Sequence, residues 1–505
     1  MIIFNFYHQH FDLHFRLIHK KEVVSTQICL KMRIFVDFLF ENGRIGGSFV
    51  KVRCLCCFVF GVFFVGICSA EFQVNTHTSS DQKNADIAME PGGNFVVVWS
   101  SYRQDGNSNG IFGQRFNPDC SPLGKEFQIN TTSSGNQTEP AVAMDAAAGF
   151  VVAWHGPGLV EEDEEDIFAQ RFGPNGSPLG SEFRVNSPTG GRQIYPDVAI
   201  GGNGLFIAVW ESKNIPDEGK KAICGQLYDS NGMTIGDEFI INEEPAVCRY
   251  PTVAADGNGH IVVAWLDDRS KNSILARLFA PDGSARTDTF EVSSVKFSSV
   301  TRPSISMNTI GEFIVAWDGN PNLAGLDDIH ARLFDQHGAP FGEQFVVNTV
   351  RDGPQRYPTV ALNDRREFII VWEIQIGPET SEREIFGQRF NNFGEPSGVE
   401  FLINTHVEGD QRYPSVALNE AGQFVTVWQS DDQDGSGYGI FAETGQIIGS
   451  ADFNKDGFVD SLDYALLAGQ WCDEGPALPT DLTYDNKIDQ HDLAEFCHHW
   501  LINDR

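Results

Sequence analysis

The stretch EFLINTHVEGDQRYPSVALNEAGQFVTVW, residues 400–428, decides the fold because close copies of it recur along the chain. It contains three short apolar runs, FLIN, SVAL and FVTVW, separated by polar turns rich in Gly, Asn and Asp. Runs of this length and alternation predict β-strands rather than helices. Such a recurrence has to be recognised before any single motif is interpreted.

The repeat is marked by the motif EF-x-[VI]-N or a close variant of it. The phenylalanine of this motif recurs in every copy, at Phe72, Phe127, Phe183, Phe239, Phe290, Phe345 and Phe401. The period is therefore close to 55 residues. A period of that length, built only from strand-length runs, is typical of a propeller or a repeat array.

Each unit carries four predicted strands: a PSVAL-like run, a run that ends in tryptophan, a GIFGQRF-like run and EFQIN. Asp-Gly and Asn-Gly turns join them, and four antiparallel strands make one propeller blade. The large aromatic at a fixed strand position predicts a core between stacked blades rather than a ligand platform. The residues concerned are Trp99, Trp154, Trp210, Trp265, Trp317, Trp372 and Trp428.

Strand counting sets the number of blades. The first three strand types each occur seven times between Ala85 and Thr444, and the fourth also occurs seven times, but its first copy, Glu71–Asn75, precedes every other strand. We therefore predict an all-β, seven-bladed β-propeller over residues 71–444. The amino-terminal strand completes the blade begun by residues 414–444, and closure removes the exposed sheet edges of an open array.

The chain is strongly acidic, with 36 Lys and Arg against 69 Asp and Glu, a net charge of −33. The first 70 residues hold 8 basic and 4 acidic side chains, so residues 71–505 carry 28 against 65. This sign argues against nucleic acid or an anionic membrane surface as a partner and favours divalent cations.

The amino-terminal region contains KVRCLCCFVFGVFFVGICSA, residues 51–70. A basic flank, an apolar run and a small-residue end predict a signal peptide cleaved near Ala70, with residues 1–70 outside the fold. An uncleaved anchor is the alternative, but the run is short for a span of roughly 20 residues. We expect an exported, secreted or cell-surface protein with no stable membrane span after cleavage. Five cysteines then remain, and the pairs open to them are Cys224 with Cys248 and Cys472 with Cys497.

The loops that enter the innermost strands each carry an arginine in four of the units. We expect these arginines to ring one mouth of the central channel and to form the ligand site: Arg249, Arg302, Arg356 and Arg412. Neighbouring loops are acidic, VEEDEED at 160–166 and SDDQDG at 430–435. Such a rim suits an anionic sugar or a cation. The alternative is a solvated rim whose charges pair with one another.

No catalytic residue is predicted. Residues 106–110, GNSNG, match the nucleophile-elbow pattern, but they lie in a strand-to-strand turn with no helix after it. The scattered histidines have no metal-binding spacing. A carboxylate pair for glycoside chemistry stays open, because acidic residues are abundant throughout the repeat.

The repeat, residues 71–444, resembles the VVVW…DG…GQRF…EF.VNT arrays of secreted bacterial surface proteins. The resemblance implies architecture and carries no specific activity.

The pattern changes after a linker at 445–451. Residues 452–463, DFNKDGFVDSLD, place oxygen ligands at positions one, three, five, nine and twelve of a calcium loop, with a backbone carbonyl at position seven and Gly457 at the turn. The predicted Ca²⁺ ligands are Asp452, Asn454, Asp456, Phe458, Asp460 and Asp463. A helix, SLDYALLAGQW, is predicted to follow.

A second loop begins 29 residues later, DLTYDNKIDQHD at 481–492. Its predicted Ca²⁺ ligands are Asp481, Thr483, Asp485, Lys487, Asp489 and Asp492. Thr483 at position three and Asn486 in place of glycine depart from the pattern, so we expect weaker calcium binding here.

Two loop-helix units, each with Asp at position twelve and no helix before the loop, make residues 452–505 resemble a type I dockerin. The resemblance implies calcium-dependent docking to a cohesin-like module in assemblies that degrade polysaccharides. Loop positions ten and eleven, which help to choose the partner in that family, are Ser461, Leu462, Gln490 and His491 here. They differ from the paired hydroxyls usual in the family.

Three functions fit this sequence. The first is an exported, non-catalytic, calcium-binding propeller that binds an extracellular glycan or protein and is attached through the dockerin-like module. The second is a propeller glycoside hydrolase or lyase in a polysaccharide-degrading complex. The third is a structural repeat protein of the envelope.

Overall fold

The structure, a computed structural model, describes residues 71–447 and 461–471 together with residues 488, 493 and 496. The first range has gaps at 159–163, 188–190, 214–219, 244–246, 269–271, 296, 298–299, 321–325, 352 and 377–381. The predicted signal peptide at 1–70 lies outside the described residues.

The strands follow the repeat closely. The chain starts with β1 (Phe72–Gln73), and blade 1 contains β2 (Gln82–Met89), β3 (Phe95–Tyr102), β4 (Asn109–Phe116) and β5 (Phe127–Gln128). Blade 2 contains β6 (Thr138–Met144), β7 (Phe150–Pro157), β8 (Glu165–Phe172) and β9 (Phe183–Arg184). Blade 3 contains β10 (Gln193–Ile200), β11 (Phe206–Lys213), β12 (Lys221–Tyr228) and β13 (Thr234–Ile240). Blade 4 contains β14 (Cys248–Ala255), β15 (Ile261–Asp267), β16 (Ser273–Phe279) and β17 (Phe290–Glu291).

The remaining blades repeat the arrangement. Blade 5 contains β18 (Ser304–Met307), β19 (Phe313–Gly319), β20 (Asp328–Phe334) and β21 (Phe345–Val346). Blade 6 contains β22 (Gln355–Leu362), β23 (Phe368–Gln375), β24 (Arg383–Phe390) and β25 (Phe401–Leu402). Blade 7 contains β26 (Gln411–Leu418), β27 (Gln423–Asp431) and β28 (Tyr438–Gln446), with β1 as its fourth strand.

Each blade is a four-stranded antiparallel sheet, and the described residues form seven of them. The innermost strands contact one another in sequence from blade to blade, and β26 contacts β2, so they form a closed wall around a central channel. The predicted all-β, seven-bladed propeller is confirmed.

Closure occurs through the amino-terminal strand, as the strand count predicts. β1 pairs antiparallel with β28, with Phe72 opposite Ala442, and the strand order of this blade is β1-β28-β27-β26. The last strand continues to Gln446, two residues past the predicted end of the propeller. Ile447 is buried and donates its backbone N–H to Gly422 over 2.7 Å, so the start of the predicted linker belongs to blade 7.

The outermost strands are shorter than the five-residue motif predicts. Six of them have two residues. In six blades the asparagine that ends the motif bonds to the third strand through its side chain. In blade 7 the Asn75 side-chain oxygen accepts the N–H of Ile440 over 2.7 Å. Equivalent bonds of 2.7–2.8 Å join Asn130, Asn186, Asn242, Asn348 and Asn404 to the third strand of their own blades.

The seven tryptophans are fully buried, each at 0% exposure, in clusters that join adjacent blades. Their prediction as interblade core is confirmed. Three of them donate an indole N–H to a glutamine that lies 17 residues earlier on the innermost strand: Trp210 to Gln193, Trp372 to Gln355 and Trp428 to Gln411, over 2.6–3.0 Å. The pairing of Cys224 with Cys248 is not formed: Cys224 is a free thiol whose burial raises its pKa to about 12.

The described part of the carboxyl-terminal module contains α1 (Ser461–Gly469), where a helix is predicted. Leu467, Ile488 and Phe496 are buried, and the Tyr464 and Phe496 rings lie 5.9 Å apart. No helix among the described residues is long and apolar enough to span a membrane.

Candidate functional site

Six of the seven innermost strands contain a β-bulge near their start. The residue inside each bulge is not glycine and yet has a positive φ of 50–55°: Asn84, Glu139, Tyr195, Tyr250, Tyr357 and Tyr413. A left-handed backbone costs an L-residue roughly 1–2 kcal/mol. Five of these residues precede proline, which further disfavours α-type conformations. Strain of this kind clusters at functional sites, where a bulge re-aims a side chain.

The remaining blade, blade 5, places Arg302 at the same point, directly before Pro303. We call these seven residues, one from each blade, the mouth ring. Arg302 reaches from blade 5 to blade 2, where its two terminal nitrogens donate to the two carboxylate oxygens of Glu139 over 2.9 and 3.3 Å. A paired fork of this kind fixes orientation as well as charge. The Arg302–Glu139 bridge therefore crosses the mouth of the channel.

Four of the seven residues of the mouth ring are tyrosines. The Tyr195 and Tyr250 rings lie 4.8 Å apart, and the Arg302 guanidinium lies 4.6 and 5.0 Å from their centroids. On the other side, the Tyr357 and Tyr413 rings lie 4.7 Å apart. Distances of this size allow cation–π contact between the guanidinium and both rings of the first pair. The mouth ring thus has an arginine on both sides: Arg302 lies over both rings of the first pair, and Arg412 lies 4.8 Å from the centroid of Tyr413 in the second.

In three blades the residue after the core tryptophan contacts a residue of the mouth ring. Gln429 accepts the backbone N–H of Asn84 over 3.1 Å, and Glu373 accepts that of Tyr413 over 3.2 Å. The ring of His155 contacts Tyr195 with its centroid 6.2 Å away. In all three cases the supporting residue belongs to the preceding blade. These contacts between blades compensate for the strained backbone of the ring.

The four predicted arginines all lie where the innermost strands begin, and each is paired. Arg249 lies 3.4 Å from Asp268, and Arg356 lies 3.1 Å from Asp327. Arg412 lies 3.8 Å from Glu373 and donates to the Tyr413 hydroxyl over 3.1 Å. Only Arg249 and Arg302 lie beside the Tyr195–Tyr250 pair. Burial raises the pKa of Glu373 to about 7 despite Arg412 and Arg383 nearby.

The acidic loops are largely engaged in structural contacts. In the 430–435 loop, Gln433 donates to Glu71 over 2.5 Å and Asp434 accepts from Gln73 over 3.3 Å, so this loop holds the closing strand. In the described part of the 160–166 loop, Asp166 accepts from Asn186 over 2.8 Å. Across the described residues, no three His, Cys, Asp or Glu side chains are grouped to hold a metal ion.

A cavity of about 270 Å³ lies beside the mouth ring, between blades 2, 3 and 4. Its aromatic wall is formed by Tyr195 and Tyr250. Its charged residues are Glu139, Arg192, Glu211, Lys213, Lys221 and Arg249. Four of these six are cations, in a chain whose net charge is −33. The cavity is therefore a positive site on an acidic protein.

Two buried polar groups face this cavity. His155 is 5% exposed, and its Nδ1 has no hydrogen-bond partner among the described residues. Burial lowers the pKa of His155, although Glu139 and Glu165 act in the opposite direction, so the imidazole is neutral near pH 7. Glu211 is fully buried; one carboxylate oxygen lies 2.5 Å from the Lys221 amine, and the other has no partner there. Unpaired buried polar atoms of this kind are costly unless a ligand or water satisfies them.

The wall of the channel below the mouth ring carries two aspartates. Asp86 and Asp197 each accept a backbone N–H from a neighbouring blade, at Val142 and Val253, over 2.8 Å. Burial raises the pKa of both carboxyls, and that of Asp197 reaches about 7. The charge of Asp86 contributes to the raised pKa of Asp197, so the two carboxyls interact electrostatically across the channel.

Most residues of the two predicted calcium loops lie outside the described part of the chain. In the first loop Asp452, Asn454, Asp456, Phe458 and Asp460 lie outside the described residues, while Ser461, Leu462 and Asp463 begin α1. In the second loop the residues outside the described part are Asp481, Thr483, Asp485, Lys487, Asp489, Gln490, His491 and Asp492. Calcium binding by these loops stays a prediction.

Several residues of this site are not predicted from the sequence. His155 and Glu211 occupy the position after the core tryptophan, and Tyr195 and Tyr250 the position before the strand proline. Both positions recur with the period of the repeat, and the first is polar in six of the seven blades. A polar residue directly after a buried tryptophan in every blade but one is the signal that identifies this layer.

No family model matches the chain, and no curated protein matches it. Solved structures that resemble it include a protein of unknown function from Dyadobacter fermentans, 11% identical, covering 75% of this chain and 98% of that one with a TM-score of 0.45. The β-propeller domain of the trilobed protease from Pyrococcus furiosus is 12% identical, covering 74% and 96% with a TM-score of 0.43. An ulvan lyase of a polysaccharide lyase family is 10% identical, covering 75% and 95% with a TM-score of 0.45. Similarities this remote carry no conclusion about function.

Proposed function

We propose that this protein is an exported binding protein: its propeller binds an extracellular ligand at the mouth ring, and its carboxyl-terminal module binds Ca²⁺ and attaches the protein to a partner. The observation that carries the first part is the cavity beside Tyr195 and Tyr250, where a strained backbone presents two aromatic rings next to unpaired buried polar atoms. Pockets with an aromatic wall and a few fixed polar groups are typical of small-ligand sites.

Binding is favoured over catalysis by the state of the carboxylates. Both carboxylates of the cavity are already engaged with cations, Glu139 with Arg302 and Glu211 with Lys221. Glycoside hydrolysis needs two carboxyl groups that face the substrate, one of them able to donate a proton. Ion pairing turns these two groups towards protein cations. The site is thus better suited to hold a ligand than to cleave it.

The alternative is a glycoside hydrolase or lyase in a polysaccharide-degrading complex. One observation favours it: the neutral His155, with an unpartnered Nδ1, lies against Tyr195 at the edge of the cavity. A neutral imidazole beside a phenol can act as a general base and acid towards a bound sugar.

A glycan-array screen of the intact protein, followed by analysis of products after long incubation, separates these functions. Binding with intact glycans supports the proposed function, and shortened or unsaturated products support the enzyme. We expect Tyr195→Ala to abolish binding without unfolding the propeller, whereas Tyr413→Ala, on the other side of the mouth, serves as the matched control. Equal binding by wild type and Tyr195→Ala would move the ligand site away from the cavity.

The attachment function is proposed from the dockerin-like pattern of residues 452–505. Charged and amide oxygens at EF-hand spacing suit Ca²⁺, and metal binding drives the folding of so small a module. The test is capture of the full chain on a panel of cohesin modules with Ca²⁺ or with a chelator present. Capture that is lost on chelation and in an Asp452→Ala, Asp481→Ala double variant supports the proposal. Capture that is insensitive to both would refute it.

Export is proposed from residues 51–70. We expect protein recovered from the medium or cell surface to begin directly after Ala70. Amino-terminal sequencing tests this, and a mature protein that retains residues 51–70 would contradict it.

A further inference from the structure

Three cations lie side by side where the strands of blade 3 end beside the mouth ring. Lys213 on β11 and Lys221 on β12 are direct cross-strand partners. The backbone N–H of Lys213 donates to the carbonyl of Arg192, which directly precedes β10, over 2.9 Å. Like charges directly opposite one another destabilise a sheet. This cluster therefore costs the fold stability.

The other blades do not share this arrangement. The equivalent cross-strand pairs are Tyr102 with Asn109, Pro157 with Glu165, Asp267 with Ser273, Gly319 with Asp328, Gln375 with Arg383 and Asp431 with Tyr438. None of these joins two like charges. The lysine pair is thus not a consequence of the repeat but a feature of blade 3 alone.

Carboxylates offset only part of this charge. Glu211 pairs with Lys221 and Glu165 with Arg192, while no carboxylate of the described residues lies within ion-pair distance of Lys213. Burial lowers the pKa of Lys213, and Arg192 and Lys221 lower it further. An amine in this position gains from an added negative charge. The ligand that satisfies it carries an anionic group.

The other residues that line the cavity indicate which further chemical groups the ligand carries. Behind the cations lie the unpartnered Nδ1 of His155 and an unpartnered oxygen of Glu211, and the wall consists of the Tyr195 and Tyr250 rings. Hydroxyl groups donate and accept hydrogen bonds with such atoms, and the faces of sugar rings pack on aromatic rings. The volume, about 270 Å³, lies at the small end of ligand pockets, roughly 300–1,000 Å³. It suits one unit of a chain.

We infer that this cavity binds one acidic sugar unit of an anionic polysaccharide, with the carboxylate or sulfate group of the sugar on Lys213 and Arg192, its ring against Tyr195 and Tyr250, and its hydroxyls on His155 and Glu211. The inference rests on the proposed function and names its ligand class. An acidic peptide shares the anionic group but lacks the hydroxyls that the buried polar atoms require.

The test is calorimetric titration of the full chain with four probes: an oligogalacturonate, a sulfated dextran oligosaccharide, a neutral cello-oligosaccharide and a polyglutamate peptide. We expect one or both anionic saccharides to bind, and the affinity to fall as salt rises. In a Lys213→Gln, Arg192→Gln variant, which removes the two cations assigned to the anionic group, this affinity should drop on the order of tenfold or more. Lys83→Gln, which removes a cation near the channel mouth in blade 1, is the matched control and should bind as wild type does.

The outcomes separate the two proposals. If the cello-oligosaccharide binds as tightly as the anionic probes, or if the double variant keeps full affinity for them, the acidic-sugar inference is wrong and the proposed function stands. If polyglutamate binds more tightly than the saccharides, the ligand class is wrong. If none of the three saccharides binds, the acidic-sugar inference is wrong, and the proposed function is then decided by the glycan-array screen. Thermal unfolding of the double variant checks folding, and we expect little change in stability because repulsion among the cations is relieved while the buried Glu211–Lys221 pair is kept.

Discussion

The backbone of Tyr250 and Tyr357 lies in the left-handed region, with φ of 50° and 52°. Asparagine adopts this conformation more readily than tyrosine, and Asn84 already does so at the equivalent point of blade 1. We expect Tyr250→Asn and Tyr357→Asn each to change the free energy of unfolding by less than about 1 kcal/mol, because relief of strain offsets the lost ring contact. Only Tyr250→Asn should weaken ligand binding, since Tyr357 lies outside the cavity.

Chemical denaturation and ligand titration of the two tyrosine variants check this expectation. Equal loss of affinity in both would mean that the whole mouth ring, rather than its blade 2 to 4 side, forms the ligand site. A stability loss of several kcal/mol in either variant would show that the ring contacts outweigh the backbone strain.

The Asp197 carboxyl has a pKa of about 7 in the folded protein, raised by burial from a usual value of 3.8. Between these two values the folded state binds more protons than the unfolded state, so stability falls as the pH rises from about 4 to 7. We expect Asp197→Ser to gain on the order of 1–2 kcal/mol at pH 8 and much less at pH 4. Ser304 shows that serine suits this position, because its hydroxyl accepts the N–H of Val360 over 3.2 Å as Asp197 accepts that of Val253.

Urea denaturation of wild type and Asp197→Ser across pH 4–8 measures this difference. Ser304→Ala is the control, because it changes the same strand position in blade 5, where the side chain bonds to the Val360 backbone and not to a carboxyl. A stability difference that does not depend on pH would contradict the assigned cause. A difference that shrinks as pH rises would contradict its sign.

At the level of strands, the closing strand is the element on which the ring depends. β1 has only two residues, yet it pairs with β28, and Asn75 and Glu71 add side-chain bonds to Ile440, Gln433 and Thr405. Deleting residues 71–75 leaves the edge of blade 7 unpaired, so we expect a large fall in melting temperature. Asn75→Ala alone should cost about 1–3 kcal/mol, as should Asn348→Ala inside blade 5.

Differential scanning calorimetry of the deletion and of the two asparagine variants tests the closure. The asparagine variants measure the free energy lost when one such side-chain bond to the third strand is removed. A deletion that melts like Asn75→Ala would show that blade 7 does not need its fourth strand.

The sequence predicts strands well where a residue type repeats with the period of the blade. Trp428 and its equivalents are unmistakable, and the displaced copy at Glu71–Asn75 predicts closure without any geometry. The bulges are different, because the positive φ of Tyr195 or Tyr413 comes from packing against the preceding blade and not from a glycine. The length of the outer strands is a further difference, since the five-residue motif predicts longer strands than the two residues found in six blades.

Contacts across the channel depend on the whole propeller, because they form only when the ring of blades closes. Arg302 and Glu139 are 163 residues apart and meet only because the ring closes. Their spacing along the chain does not predict the bridge. The sequence therefore predicts the arginine as a rim residue but does not predict its partner. The same holds for the cationic cavity, whose residues come from three blades of an otherwise acidic chain.

The charge of the whole chain leads to the last prediction. Residues 71–505 carry 28 basic against 65 acidic side chains, and repulsion among them destabilises the compact state. We expect NaCl between about 0.05 and 0.5 M to raise the melting temperature of the propeller by screening this repulsion. Ca²⁺ at matched ionic strength should add a second effect confined to the carboxyl-terminal module, because its two predicted loops supply the ligands.

Calorimetry with two resolvable transitions separates these effects. Asp452→Ala should remove most of the calcium-specific shift, and Asp481→Ala a smaller part, because Thr483 and Asn486 weaken the second loop. Neither variant should alter the response of the propeller transition to NaCl. If Ca²⁺ shifts the propeller transition beyond the effect of ionic strength, and does so equally in both variants, then a calcium site lies in the propeller and the loops do not account for the metal.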